Sequence, residues 1–153
     1  MQAADSLGVS RPIVIQPHYD LVFRREYEKN LQSVVTDFSL STVPYWGLAS
    51  GFLTGKYQKN QEITGERAHM VTAYASDQAF AVVDQVQEIA SGHNVETASI
   101  AIAWLLAQPN VAAPIASASH PDQVPALLEG ACMVLAEDEL AALDELSAGL
   151  PTV

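Results

Sequence analysis

Apolar residues come in short bursts separated by polar stretches marked by proline and glycine, and their spacing changes along the chain. Residues 1–8 have the look of a helix end stopped at Gly8, a residue suited to a left-handed cap. Ile13-Val14-Ile15, after Pro12, is an unbroken apolar run and predicts a buried strand. From Tyr27 to Phe38 the apolar positions 27, 31, 34, 35 and 38 follow near-helical spacing. Leu40 to Val43, ended by Pro44, predicts a second strand. Residues 54–72 are polar and read as a long loop, of the kind that is usually functional or disordered.

The rest is more helical. Ser76-Asp77 suits the start of a helix to about Ser91, with Ala79, Val82, Val83, Val86, Ile89 and Ala90 on one face. Thr97 suits the cap of a very apolar helix, Ala98 to Ala107, stopped by Pro109. Val111 to Ile115 gives a third strand, and residues 120–130 and 137–147 two more helices. The last opens on Glu137, Asp138 and Glu139, acids that suit the positive end of a helix dipole, and its acids read as a solvated face. Strand and helix alternate as in parallel α/β proteins. The strands carry apolar residues on both faces, as buried parallel sheets require. Three strands leave both sheet edges unpaired, whereas a closed β/α barrel takes eight strands and about 250 residues. Something is expected to pair with those edges.

At 153 residues, with 49% hydrophobic and 16% charged, the chain suits one domain spanning 1–153 and excludes wholesale disorder. No apolar run reaches the roughly 20 residues that span a bilayer. Met1 to Asp5 lacks the start of a signal peptide. The single cysteine, Cys132, permits no internal disulfide, so a cytoplasmic location is the expectation. With no base beside it, Cys132 reads as a small buried hydrophobe. The net charge of −11 is unevenly spread. All seven basic residues fall within 1–67, where seven acids balance them, and the other eleven acids follow without one Lys or Arg. Such a second half repels nucleic acid and anionic lipid, which are bound by neutralising phosphates.

The densest candidate chemistry is Val43-Pro-Tyr-Trp-Gly-Leu-Ala-Ser-Gly-Phe-Leu-Thr-Gly-Lys-Tyr57. An aromatic pair leaves a strand and meets three glycines, Ser50, Thr54 and Lys56. Glycines let backbone N–H groups approach a phosphate and a lysine adds charge. The spacing is not that of a Walker A loop, and an ordinary glycine-rich turn is the competing reading. His18 and His93 have no second ligand at metal spacing, so no metal site is expected. Trp104, in the apolar helix, reads as core.

This segment resembles the aldo/keto reductase family, in which a strand opens into an aromatic-x-x-Leu-x-x-Gly-x-Leu-x-Gly-Lys-Tyr loop. Ile13-Val-Ile-Gln-Pro-His-Tyr-Asp-Leu21 resembles the family's sixth barrel strand, and Pro114-Ile-Ala-Ser-Ala-Ser-His-Pro-Asp-Gln123 its eighth strand and following helix start. The apolar helix 97–108 is similar to its seventh helix. The resemblance covers nearly the whole chain and implies a partial (β/α)8 barrel, the C-terminal half with strands six to eight.

Carried over residue by residue, the resemblance implies a nicotinamide-cofactor wall. Gln16 would bond the nicotinamide amide and Tyr45, followed by Trp46 and Gly47, would stack on its ring. Leu48, Ser50, Gly51, Leu53, Gly55 and Lys56 would line the pyrophosphate. Ser117, Ser119 and Gln123 would surround the adenosine ribose. Two positions depart from the pattern: Ser119-His120 stands where an arginine commonly pairs with the 2′-phosphate, and Leu127 stands where an Asn is often found. The implied cofactor is therefore NADP(H) or, without that arginine, NAD(H). The family's catalytic Asp, Tyr, Lys and His belong to the N-terminal half and have no counterpart here. The expectation is an oxidoreductase part that reduces aldehydes or ketones only with a complementing N-terminal half and is inactive alone. The alternatives are a non-catalytic homo-oligomeric interaction module or a truncated remnant.

Overall fold

The computed structural model describes residues 1–65 and 67–150. Eight α-helices surround a very small parallel sheet among these residues. They are α1 (Gln2–Leu7), α2 (Arg25–Asn30), α3 (Gln32–Asp37), α4 (Ala68–Tyr74), α5 (Asp77–His93), α6 (Thr97–Ala107), α7 (Val124–Cys132) and α8 (Glu137–Ser147). The strands β1 (Val14–Ile15) and β2 (Ser41–Thr42) pair in parallel, Val14 opposite Ser41 and Ile15 opposite Thr42. Pairing continues as single bridges, His18 to Tyr45 on one side and Thr42 to Val111 on the other.

The expected third strand is reduced to that bridge at Val111, after which Ala112 N–H donates to Thr42 O and Ile115 N–H to Pro44 O, at 2.9 and 2.7 Å. Prolines explain why the ladders are short. Pro12, Pro17, Pro44 and Pro114 bound or interrupt all three segments, and each lacks the N–H that a ladder needs. The expectation that β1 is buried also fails. Ile13 is 75% and Val14 43% exposed; among the described residues β1 pairs only with β2, so its other edge has no neighbouring strand.

Several helix signals work as local chemistry requires. Gly8 takes the left-handed conformation (φ 64°, ψ 29°) after α1. Ser76 caps α5, its hydroxyl accepting from Ala79 N–H at 3.1 Å. The helix expected over 27–38 becomes α2 and α3, starting two residues earlier and dividing at Leu31. Thr97 is the first residue of α6, not its cap; Glu96 stands at the cap with no side-chain bond. Residues 121–123 form a tight 3-10 turn before α7. The segment read as loop contains α4 at its end.

The core lies between the helices and the sheet. Trp104, Tyr19, Tyr27, Phe52, Leu21 and Leu53 are completely buried. Helix α6 is apolar all round and buried from Ser99 to Leu105, as a central helix must be. It packs on α7 so closely that a Cβ on Gly130 would lie 2.5 Å from the Ser99 carbonyl oxygen. Ser99 Oγ spans the same contact, donating to Ala126 O at 2.9 Å. The segment 117–123 leads directly into α7. Cys132 is exposed, against expectation, because it lies at the end of α7 past the Gly130 contact. The acids of α8 divide: Glu137, Asp138 and Glu145 face solvent, while Asp144 turns inward to Arg24 and Trp104.

Candidate functional site

A cleft of about 610 Å3 opens where the chain leaves β2. Tyr45 and Trp46 form one wall, and the tight turn Ala49–Thr54 forms the floor beside them. Backbone conformation is unusual along this stretch. Trp46, Ala49 and Ser50 have φ of 58°, 48° and 57°, a region costly for residues with a Cβ. Gly51 (φ 97°) and Gly55 (φ 76°) share it without that cost. Gly55 has a second constraint, since a Cβ there would meet Gln87 Nε2 at 2.5 Å, the amide that donates to Gly55 O. The opposite lip comes from Ser117 to Gln123, where Gln123 Oε1 accepts from Ser119 N–H at 2.8 Å.

Ten of the thirteen residues singled out by resemblance line this cleft: Tyr45, Trp46, Gly47, Leu48, Ser50, Gly51, Lys56, Ser117, Ser119 and Gln123. The structure brings together residues up to 78 positions apart, Tyr45 and Gln123, on facing walls. Three do not line it. Leu53 is completely buried in the core, because the turn points its side chain inward. Gly55 faces Gln87 of α5. Gln16 is exposed, one residue past β1.

Several lining residues carried no such expectation. Arg67 enters from the start of α4, and Glu96 and Asp122 add carboxylates on the far side. Arg67 is the last basic residue before the acidic stretch, the one sequence signal that marks it. The cleft is thus polarised. Both its cations, Lys56 and Arg67, belong to the turn wall or to α4, which packs on that turn through Met70 and Ser50. Leu127, at the position where the family often has Asn, closes the apolar back of the cleft with Ala126 and Ala98.

Behind the aromatic wall lies a polar cluster. His18 Nε2 is 3.0 Å from Asp20 Oδ2 and 3.0 Å from the Tyr74 hydroxyl. Asp20 is completely buried, and its other oxygen accepts from Val22 N–H at 2.9 Å. Burial pushes its carboxyl above the usual range, opposed by His18 and by the backbone N–H groups of Val22 and Phe23. Tyr74 is likewise pushed up, first by burial and then by the charge of Asp20. No cluster of metal-ligating side chains occurs among the described residues. No described helix is long and apolar enough to cross a membrane.

Comparison with known proteins gives the family of the chain. The aldo/keto reductase family model matches residues 1–148, and the chain belongs to that family. It is 31% identical over 128 residues to a probable voltage-gated potassium channel subunit beta of Arabidopsis thaliana, covering 80% of this chain and 39% of that protein. It is 30% identical over 147 residues to protein tas of Escherichia coli (strain K12), covering 94% of this chain and 42% of that protein. Versiconal hemiacetal acetate reductase of Aspergillus parasiticus is 25% identical over 142 residues, 90% of this chain and 41% of that protein. The chain therefore spans less than half the length of these relatives. The family's members generally bind NAD(P)H and include proteins named as oxidoreductases, and its fold is the β/α barrel.

Proposed function

We propose that this chain is the cofactor-holding, C-terminal half-barrel of an aldo/keto reductase, folded as one domain, and that it binds NAD(P)(H) in the cleft between Tyr45 and Gln123. The observation that carries the reading is the convergence of three chemistries on one space. Tyr45 offers a flat ring, Lys56 and Arg67 offer positive charge beside the Ser50–Gly51 turn, and Ser117, Ser119 and Gln123 offer neutral polar groups opposite. The cleft volume of about 610 Å3 suits a ligand of dinucleotide class, within the roughly 300–1,000 Å3 of small-molecule sites.

When bound, the nicotinamide supplies a hydride for reduction of an aldehyde or ketone. In this reading Tyr45 fixes which face of the ring is presented, Lys56 and Arg67 neutralise the pyrophosphate, and Ser119 and Gln123 hold the ribose. In this reading the positioned acid that protonates a developing alkoxide comes from the N-terminal half. Carbonyl reduction in this reading belongs to the chain together with an N-terminal half. The site would lie in a cytoplasmic enzyme.

A second reading makes the chain a homo-oligomeric interaction module. It is favoured by the uncovered β1, where Ile13 and Val14 are exposed at an unpaired edge that invites association. A fluorescence titration of the chain with NADH and NADPH separates the two. Saturable binding of either supports the cofactor reading, and no binding to both overturns it.

A further inference from the structure

His18 does more than fill space behind the cleft. Its ring stacks on Phe23, with centroids 3.8 Å apart and planes 6° apart. It also stacks on Tyr45, at 5.4 Å and 26°. Trp46 and Tyr74 approach nearly at right angles, at 5.1 and 6.2 Å. The imidazole thus sits in a cage of four aromatic rings and forms the bed on which Tyr45 and Trp46 lie. Backbone pairing joins the same two strands at this level, with Tyr45 N–H donating to Pro17 O at 3.0 Å.

A phenylalanine would stack equally well, so stacking alone does not explain a histidine. The polar partners do. Asp20 is completely buried, and a buried carboxylate is costly unless hydrogen-bonded. Its Oδ1 is satisfied by Val22 N–H, and Oδ2 by His18 alone among side chains. Tyr74 reaches the same Nε2 from α4, the helix that follows Arg67. Nε2 has one hydrogen-bonding position, so as a donor its single N–H is shared between the Asp20 carboxylate and the Tyr74 hydroxyl, and rotation of the imidazole would lose both contacts together.

We propose that His18 is the positioning residue of the cleft's aromatic wall: locked through Nε2 by Asp20 and Tyr74, it sets the plane in which Tyr45 and Trp46 meet a planar ring ligand, and ties that wall to α4. The lock stands on the geometry of the chain; its consequence for NADH and NADPH rests on the cofactor reading above. The charged and titratable groups facing His18 are Asp20 from the segment between β1 and α2, Tyr45 from the loop after β2, and Tyr74 from α4.

The test uses the full chain, wild type, Tyr74→Phe, His18→Phe and the double variant. Tyr74→Phe keeps the ring and removes only the hydroxyl, so it remains decisive if His18→Phe fails to fold. Trp104 is completely buried and Trp46 is 46% exposed, so acrylamide quenching reports Trp46. The expected result is stronger quenching of Trp46 in Tyr74→Phe and in His18→Phe, with the double variant no worse than the more affected single one, as for residues acting as a unit. Affinity for NADH and NADPH should fall together by about 3- to 30-fold in Tyr74→Phe. Unchanged Trp46 quenching in Tyr74→Phe overturns the proposal, as does unchanged affinity where the wild type binds. If the wild type binds neither cofactor while Trp46 still loosens in Tyr74→Phe, the lock stands and the cofactor reading falls.

Discussion

Arg24 and Asp144, 120 positions apart, meet at 2.7 Å between Nη1 and Oδ1, and Trp104 Nε1 donates to that same oxygen at 3.0 Å. Arg24 Nε also bonds Glu28 at 2.7 Å, and its guanidinium carbon lies 4.9 Å from the Trp104 ring centroid. One carboxylate therefore fastens α8 to both α2 and the central helix α6. Asp144 is itself partly exposed, so the Arg24 pair alone contributes little in water. The larger effect is the buried indole N–H. Asp144→Ala should destabilise the chain by about 1–3 kcal/mol in urea unfolding, the cost of orphaning a buried donor. Asp144→Asn, which keeps an acceptor, should recover much of that loss.

Asp20 predicts a pH dependence with a definite sign. Burial raises its folded-state pKa above its ordinary value of about 3.9, so the native state holds the proton more tightly than the unfolded chain. Stability from this group is full below the unfolded pKa and is lost as pH rises through the folded one. Asp20→Asn cannot titrate. Its unfolding free energy minus that of the wild type should therefore rise from pH 4 upward and level off once Asp20 is ionised. A flat or falling difference would mean that pairing with His18 outweighs burial.

Gly130 lies at the close contact between α7 and α6. A Cβ there would press on the Ser99 carbonyl at 2.5 Å and on Ile102 Cβ at 2.8 Å, backbone and core atoms that cannot swing away. Gly130→Ala should cost about 1–3 kcal/mol by overpacking, measured by thermal melting. Because α7 carries the lip containing Ser119 and Gln123, cofactor affinity should weaken in the same variant.

The two cations of the cleft are separable from the lip opposite. Lys56→Ala and Arg67→Ala should each weaken NADH and NADPH binding, by about tenfold at low ionic strength and by less in high salt, where exposed charges are screened. Equal affinities at low salt would remove these residues from the pyrophosphate site.

Ser119→Arg supplies the cation that the lip lacks. In the proposed cofactor orientation it should raise the NADPH-to-NADH affinity ratio by about tenfold, the scale of one charge-assisted hydrogen bond. An unchanged ratio in paired titrations would place the 2′-phosphate elsewhere, with Arg67 the next group to substitute.

Local signals carried much of the fold. Gly8 and Ser76 mark helix ends because a left-handed cap and a side-chain cap depend only on neighbouring residues. The apolar runs at 13–15 and 40–43 mark the paired strands, and the periodicity of 79–90 marks the buried face of α5. The same reasoning misplaced what depends on distant neighbours. Ile13 and Val14 look like core by composition yet face outward, since burial depends on whether another segment arrives to cover them. Cys132 is exposed for a similar reason, and Leu53 is core although its motif suggested the cleft.

The amino-acid sequence by itself determined most of the order of elements, α4 excepted, together with the family motifs and the division of charge, because each is a property of adjacent residues or of simple sums. Only the tertiary structure decided which residues share a space. It brought Arg67 and Asp122 to the same cleft as Tyr45, turned Gln16 and Gly55 away from it, and joined His18, Asp20 and Tyr74 across 56 positions. The reason is physical. A hydrogen bond or a cavity wall depends on distance in space, and distance between residues far apart in the chain is settled by packing: here by α6 against α7 and by α4 against the turn below Tyr45.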